Sequence, residues 1–141
     1  MKIFAVVDTN VIIAALLSKN FDSATVKIIR NIYEGQIVPL YHDKIIAEYI
    51  DVLSRDKFPI SKEVAKKMID TIKNFGEEIG PSEADEVFVD EDDRIFYEVM
   101  MTRRNENSYL ITGNKKHYPS KNFVVSPAEM IYIIENCEEC F

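Results

Sequence analysis

The sequence predicts an α/β fold built on a parallel sheet that helices cover on both faces. Three observations carry this reading. Short apolar segments rich in β-branched residues alternate with longer segments at helical spacing. The strand-like segments are apolar nearly throughout rather than alternating, as strands buried on both faces are. The first of them ends in an acid, Asp8, and open parallel sheets bind ligands beyond the carboxyl ends of their strands.

Ile3 to Val7 is the first strand, and the apolar run from Thr9 to Leu17 is a helix. Ser23 to Tyr33 is a second helix, with Val26, Ile29 and Tyr33 at helical spacing and Gly35 as its stop. Ile37 to Tyr41 is a short strand. Asp43 is placed to cap a helix from Lys44 to Leu53, whose apolar arc is Ile45, Ile46, Tyr49, Val52 and Leu53. Pro59 and Ser61 announce a helix reaching Phe75, so a helical pair is inserted between sheet strands. Gly80-Pro81 breaks the chain, and Val87 to Val89 is a candidate strand. Asp90-Glu91-Asp92-Asp93 starts a helix that runs to about Thr102, with Ile95, Phe96, Val99 and Met100 as its buried stripe. Arg103 and Arg104 near its end suit the helix dipole. Ser108 to Thr112 is a strand that ends in Gly113-Asn114, and Phe123 to Val125 is the last strand. Ser126-Pro127-Ala128-Glu129 then combines a capping box with proline at the first helical position, opening a helix to about Glu135.

Composition narrows the class. A chain of 141 residues, 47% of them apolar and only 4 of them glycine, is long enough for one domain with its own core. No apolar run nears the ~20 residues that span a bilayer, so no membrane partner is expected. The N-terminal apolar run ends at Asp8 and lacks a small-residue cleavage pattern, which makes the cytoplasm the expected location. Cys137 and Cys140 form one Cys-x-x-Cys pair, too few ligands for a zinc site, and read as reduced thiols. The net charge of −7 argues against a broad electrostatic footprint on nucleic acid, but not against a local site that recruits cations and grips phosphate.

The acids and amides fall in telling places. Asp8 ends a strand. Glu48 lies just off the apolar arc of its helix, at a border from which a side chain reaches into a cleft. Asp93 sits on the first turn of its helix, and Asn114 follows a strand. Each has a bland explanation: a cap for Asp8, a solvated position for Glu48, dipole complementation for Asp93 and a turn for Asn114. Dipole complementation accounts for one or two acids, not for four in a row. Positions at strand ends and helix starts of one parallel sheet would converge on one edge, where carboxylates raise each other's pKa. A hard divalent cation resolves such repulsion, and oxygen donors suit Mg²⁺ or Mn²⁺. Such an ion lowers the pKa of a water and stabilises charge on a phosphoryl oxygen. Lys115, Lys116, His117 and Lys121 form a basic cluster just after Asn114 and are a candidate phosphate grip, with a solvated loop as the alternative. Tyr118 packs beneath that loop or stacks on a base.

At Val7-Asp8-Thr9-Asn10-Val11, at Glu48, at Asp93-Arg94-Ile95-Phe96 and at Ile111-Thr112-Gly113-Asn114, the chain resembles the PIN-domain nucleases. The four elements together are more specific than any one of them, and they span nearly the whole chain. The resemblance implies a single three-layer α/β/α sandwich over residues 1–141, Mg²⁺- or Mn²⁺-dependent phosphodiester hydrolysis and an RNA substrate. Many small members are the toxin halves of bacterial toxin–antitoxin pairs, so an antitoxin protein is an implied partner. Asp8, Glu48 and Asp93 match the family's acidic metal ligands, and Asn10 and Thr112 match positions that hydrogen-bond and orient those acids. The chain departs from many members at Asn114, where they carry an acid. An amide offers the metal a carbonyl oxygen without charge, which weakens a second cation most.

The leading reading is therefore a metal-dependent endoribonuclease that leaves 5′-phosphate and 3′-hydroxyl ends. The alternative is a catalytically silent PIN-like module that binds RNA or protein. A phosphatase with Asp8 as nucleophile is disfavoured, because that chemistry wants an acid two residues on and Asn10 stands there. A symmetric homodimer is a common state for domains of this size.

Overall fold

The computed structural model describes residues 2–136. Cys137 and Cys140 lie outside the described residues.

Five strands, β1 (Ile3–Val7), β2 (Ile37–Tyr41), β3 (Glu77–Glu78), β4 (Tyr109–Ile111) and β5 (Val124–Val125), form one sheet in the order β3-β2-β1-β4-β5. Every pairing is parallel. Six helices connect or follow them: α1 (Thr9–Leu17), α2 (Ala24–Tyr33), α3 (Asp43–Leu53), α4 (Lys62–Phe75), α5 (Arg94–Thr102) and α6 (Pro127–Asn136). α1 and α6 both pack on α2, while α5 lies across β1 and β4 and touches α3. Both faces of the central strands are covered, and Ala5, Val6, Val7, Leu110 and Ile111 have no exposed surface. The result is the three-layer α/β/α sandwich.

The strand order explains where a site must form. The chain leaves β1 toward β2 on one side and later returns to β4 on the other, so the order reverses at β1. The loops after β1 and β4 therefore part there and leave a crevice at the carboxyl edge. Asp8 follows β1, and Thr112 follows β4. Register ties the two ends together, since Val7 pairs with Ile111 and the Asp8 N–H donates to the Ile111 carbonyl at 2.9 Å.

Several elements differ from the sequence expectation. Val87–Val89 is not a strand: Val87 and Val89 are 92% and 76% exposed, with only Phe88 buried. The edge strand is Glu77–Glu78 instead, recruited by backbone pairing to β2 and not by side-chain burial. His42, not Asp43, caps α3 by accepting from the Lys44 N–H. The acidic run forms a 3₁₀ turn, Glu91–Asp93, before α5. In α2 the deeply buried residues are Ile28 and Ile32, while Val26, Ile29 and Tyr33 line a shallow apolar hollow against α1. Arg103 and Arg104 do more than face a dipole. Arg103 pairs with Glu77 and Glu106 over the Phe4 ring, and Arg104 donates to the Ser108 carbonyl over Phe123. The capping box of α6 forms as expected, with Ser126 and Glu129 bonded reciprocally.

Candidate active site

Asp8 stands at the centre. Its backbone has extended geometry at the head of α1, yet its side chain caps nothing. The residue is only 6% exposed, and its carboxylate accepts hydrogen bonds from three side chains. Thr112 Oγ1 donates at 2.8 Å, Tyr118 Oη at 2.9 Å and Asn10 Nδ2 at 3.3 Å, all to Oδ2. No side chain is bonded to the other oxygen among the described residues. Burial pushes the Asp8 carboxyl above its ordinary value, and the Thr112 and Tyr118 hydrogen bonds only partly offset this.

Asn10 and Thr112 each make a second bond, Asn10 across to the β4 loop and Thr112 within it. Asn10 Oδ1 accepts from the Gly113 N–H at 3.0 Å, and Thr112 Oγ1 accepts from the Asn114 N–H at 3.0 Å. Both residues therefore hold Asp8 while being held themselves. Thr9, next in the chain, is buried with a hydroxyl that has no partner among the described residues.

Asp93 comes to the same crevice from the head of α5. Its carboxyl is pushed up to about 6 by burial first, then by the charges of Asp8 and Asp90, against the opposing pull of His117. His117 Nδ1 lies 3.2 Å from Asp93 Oδ2. Like charges held this close disfavour joint ionisation.

Glu48 occupies a different wall. It lines a groove between α3 and α5 with Lys44, Glu91, Asp92 and Arg94. Burial raises its carboxyl, followed by the nearby charges of Asp92 and Asp51. Asp93 thus feels the charge of Asp8, whereas Glu48 feels that of Asp92, and no set of three acids or imidazoles gathers among the described residues. Asn114 contributes its N–H to Thr112, and its side chain makes no capping bond. It also lines a shallow hollow with Asn10 and Gly113. Of the basic cluster, Lys115 is paired with Glu129 at 2.8 Å, and His117 is turned onto Asp93. Lys116 and Lys121 line an open hollow beside Tyr118.

Tyr118, which the sequence places beneath the loop or on a base, has a contact that neither reading names, its bond to Asp8. It is buried, packs edge-on against Phe88 and donates to Asp8. The available signal was its place in a short basic turn directly after the fourth motif.

A parallel sheet whose switch point carries a buried acid braced by amide and hydroxyl donors, with a second acid close enough to feel its charge, defines an α/β domain with an acidic binding edge. Residues 5–116 match the PIN domain family, and the chain belongs to that family. It is therefore a nuclease-type module. The matched span takes in Asp8, Glu48, Asp93 and Asn114 and ends just before His117 and Tyr118. No curated protein and no solved structure gave a match. No helix among the described residues is long and apolar enough to cross a membrane.

Proposed function

We propose that the chain is an Mg²⁺- or Mn²⁺-dependent endoribonuclease with Asp8, Glu48 and Asp93 as its acidic ligands and Asn114 as a neutral support. The observation that carries this reading is the acid pair. Consecutive side chains of one turn, His117 and Tyr118, contact Asp93 and Asp8, and both carboxyls are raised mainly by burial, so ionising both without a cation is costly. The donors are oxygens, and Asp8 keeps one oxygen free of side-chain partners, which suits a hard divalent ion. Glu48 borders the same acidic surface through Asp92. When bound, the cation supplies an activated water and stabilises charge on the phosphoryl group. The residues around it bind and orient: Asn10 and Thr112 fix Asp8, and Lys116 and Lys121 offer charge to neighbouring phosphates. Family membership supports RNA as substrate.

The experiment is cleavage of structured and unstructured RNA with and without Mn²⁺. Wild type should cut only with metal, while Asp8→Asn, Asp93→Asn and Glu48→Gln should each lose at least about tenfold in rate with the fold intact. Wild-type rates in all three variants would place the activity elsewhere. The silent-module reading is favoured by one observation, the neutral Asn114 beside the acids. RNA binding without cleavage at any Mn²⁺ concentration would establish it. We further propose that the chain is one self-contained PIN domain in the cytoplasm and the toxin of a toxin–antitoxin pair. That role rests on the family resemblance. A small adjacent reading frame encoding a DNA-binding protein that binds this chain and silences it would support it.

A further inference from the structure

The short turn after β4 reaches both acids with consecutive side chains. Tyr118 Oη donates to Asp8 Oδ2 at 2.9 Å, and His117 Nδ1 meets Asp93 Oδ2 at 3.2 Å. The turn is stiff for its length. The His117 and Tyr118 N–H groups donate back to the Asn114 and Lys115 carbonyls, both at 3.1 Å. Its start is held by the Asn114 N–H on Thr112, and Lys115 ties it to Glu129 at the head of α6. The Tyr118 ring is braced as well. It meets the Phe88 ring edge-on at 6.4 Å, and the guanidinium of Arg94, next to Asp93, lies 4.6 Å from the centre of the Phe88 ring.

We infer that His117 and Tyr118 are positioning residues that hold the Asp93 and Asp8 carboxylates at a set separation, so that the turn tunes the divalent-cation site. This rests on the proposed role of Asp8 and Asp93 as metal ligands, and it assigns a task to two residues beyond the span that matches the family. The chemistry fits each. The Tyr118 phenol, buried against Phe88, donates to the Asp8 carboxylate. It occupies Oδ2 together with Thr112 and Asn10, and among the described residues the opposite oxygen of Asp8 has no side-chain partner, so it can face a cation. His117 Nδ1 lies 3.2 Å from Asp93 Oδ2, and in the tautomer protonated at Nδ1 it donates to that acid, which orients it from the same turn. Hydrogen-bond partners of metal ligands act in this way, and losing one typically costs about 10–100-fold in metal affinity.

The test is calorimetric titration of the full chain with Mn²⁺ alone, alongside metal-free melting. Tyr118→Phe keeps the ring against Phe88 and removes only the donor. It should weaken Mn²⁺ by roughly tenfold or more with little change in metal-free melting temperature. His117→Ala should weaken binding by a similar factor, and His117→Asn, which restores an N–H near the Nδ1 position, should recover most of it. A purely structural role predicts the reverse pattern, a lower metal-free melting temperature with affinity unchanged. Affinities within twofold of wild type in both Tyr118→Phe and His117→Ala, with binding abolished in Asp8→Asn, would overturn the inference and spare the metal site. Tighter binding in His117→Ala would mean that the imidazole competes with the cation, and would also overturn it. No Mn²⁺ binding by wild type would remove the metal reading and this inference together.

Discussion

Asp93 is the residue where charge and stability meet. Its folded-state carboxyl lies near 6 against an ordinary 3.8, so the folded chain holds its proton more tightly than the unfolded chain does. That preference stabilises the fold fully below about pH 3.8 and is lost as pH rises through about 6. Asp8 and Glu48 are shifted in the same direction. In the absence of metal, Asp93→Asn should therefore match wild type near pH 4 and exceed its stability at pH 7 by ~1 kcal/mol, a figure reduced for partial solvent screening. Chemical denaturation at the two pH values, with chelator present, is the measurement. A constant difference would mean that folding does not raise the Asp93 carboxyl. Asn114 raises the complementary case. Asn114→Asp adds a charge beside acids that already resist ionisation, so metal-free melting should fall while cleavage saturates at lower Mg²⁺. Paired titrations of rate and melting temperature decide it, and no change in either would reduce Asn114 to a turn residue.

Among the elements, the helices and central strands were legible because apolar periodicity reports burial directly. Ile45, Ile46, Tyr49 and Leu53 on α3 and Phe96, Val99 and Met100 on α5 are buried as their spacing requires. β3 was not legible, since two glutamates carry no apolar signal and pairing to β2 is backbone chemistry. Val87 and Val89 misled because a short run of three apolar residues, Val87-Phe88-Val89, imitates a strand although only Phe88 is buried. In the site, the positions after strands could be read from chain order. The side-chain partners could not, because Thr112 and Tyr118 lie 104 and 110 residues from the Asp8 they bond. Gly76 shows how local composition can encode a tertiary contact. A Cβ there would lie 2.2 Å from the Pro39 carbonyl oxygen and 2.5 Å from that of Ile72, so the end of α4 crosses β2 only over a hydrogen. Its φ of −103° is ordinary, which leaves space as the constraint. Gly76→Ala should destabilise by about 1–3 kcal/mol through backbone displacement, read as a lower urea midpoint. Gly35→Ala tests a different cause. Its φ is +80° with open space around the Cβ, so the cost there is conformational and should be nearer ~1 kcal/mol.

For the whole molecule, the question is how a chain with net charge −7 engages a polyanion. A broad basic face would give tight, salt-sensitive binding, and this chain has no such surplus. Its basic hollow beside the acids is small, and Lys115 on its rim is already neutralised by Glu129. Lys116 and Lys121 remain as the local phosphate contacts, with a divalent cation as the third positive element of the proposed site. Each neutralised phosphate on a single strand contributes about −0.7 to the slope of log affinity against log salt. Two lysines therefore predict a slope of about −1.4, shallow for a nucleic-acid-binding protein. Binding of a non-cleavable single-stranded RNA should show that slope with Mn²⁺ held constant. Lys116→Ala and Lys121→Ala should each flatten it by about 0.7, whereas Lys115→Ala should leave it nearly unchanged. Fluorescence anisotropy across a salt series is the measurement. A steep slope that survives both lysine substitutions would place the RNA on another surface, such as the cationic rim of Lys62, Lys66 and Lys73 on α4. In that case the acid crevice and the binding face would be separate, and the silent-module reading would gain what the nuclease reading lost.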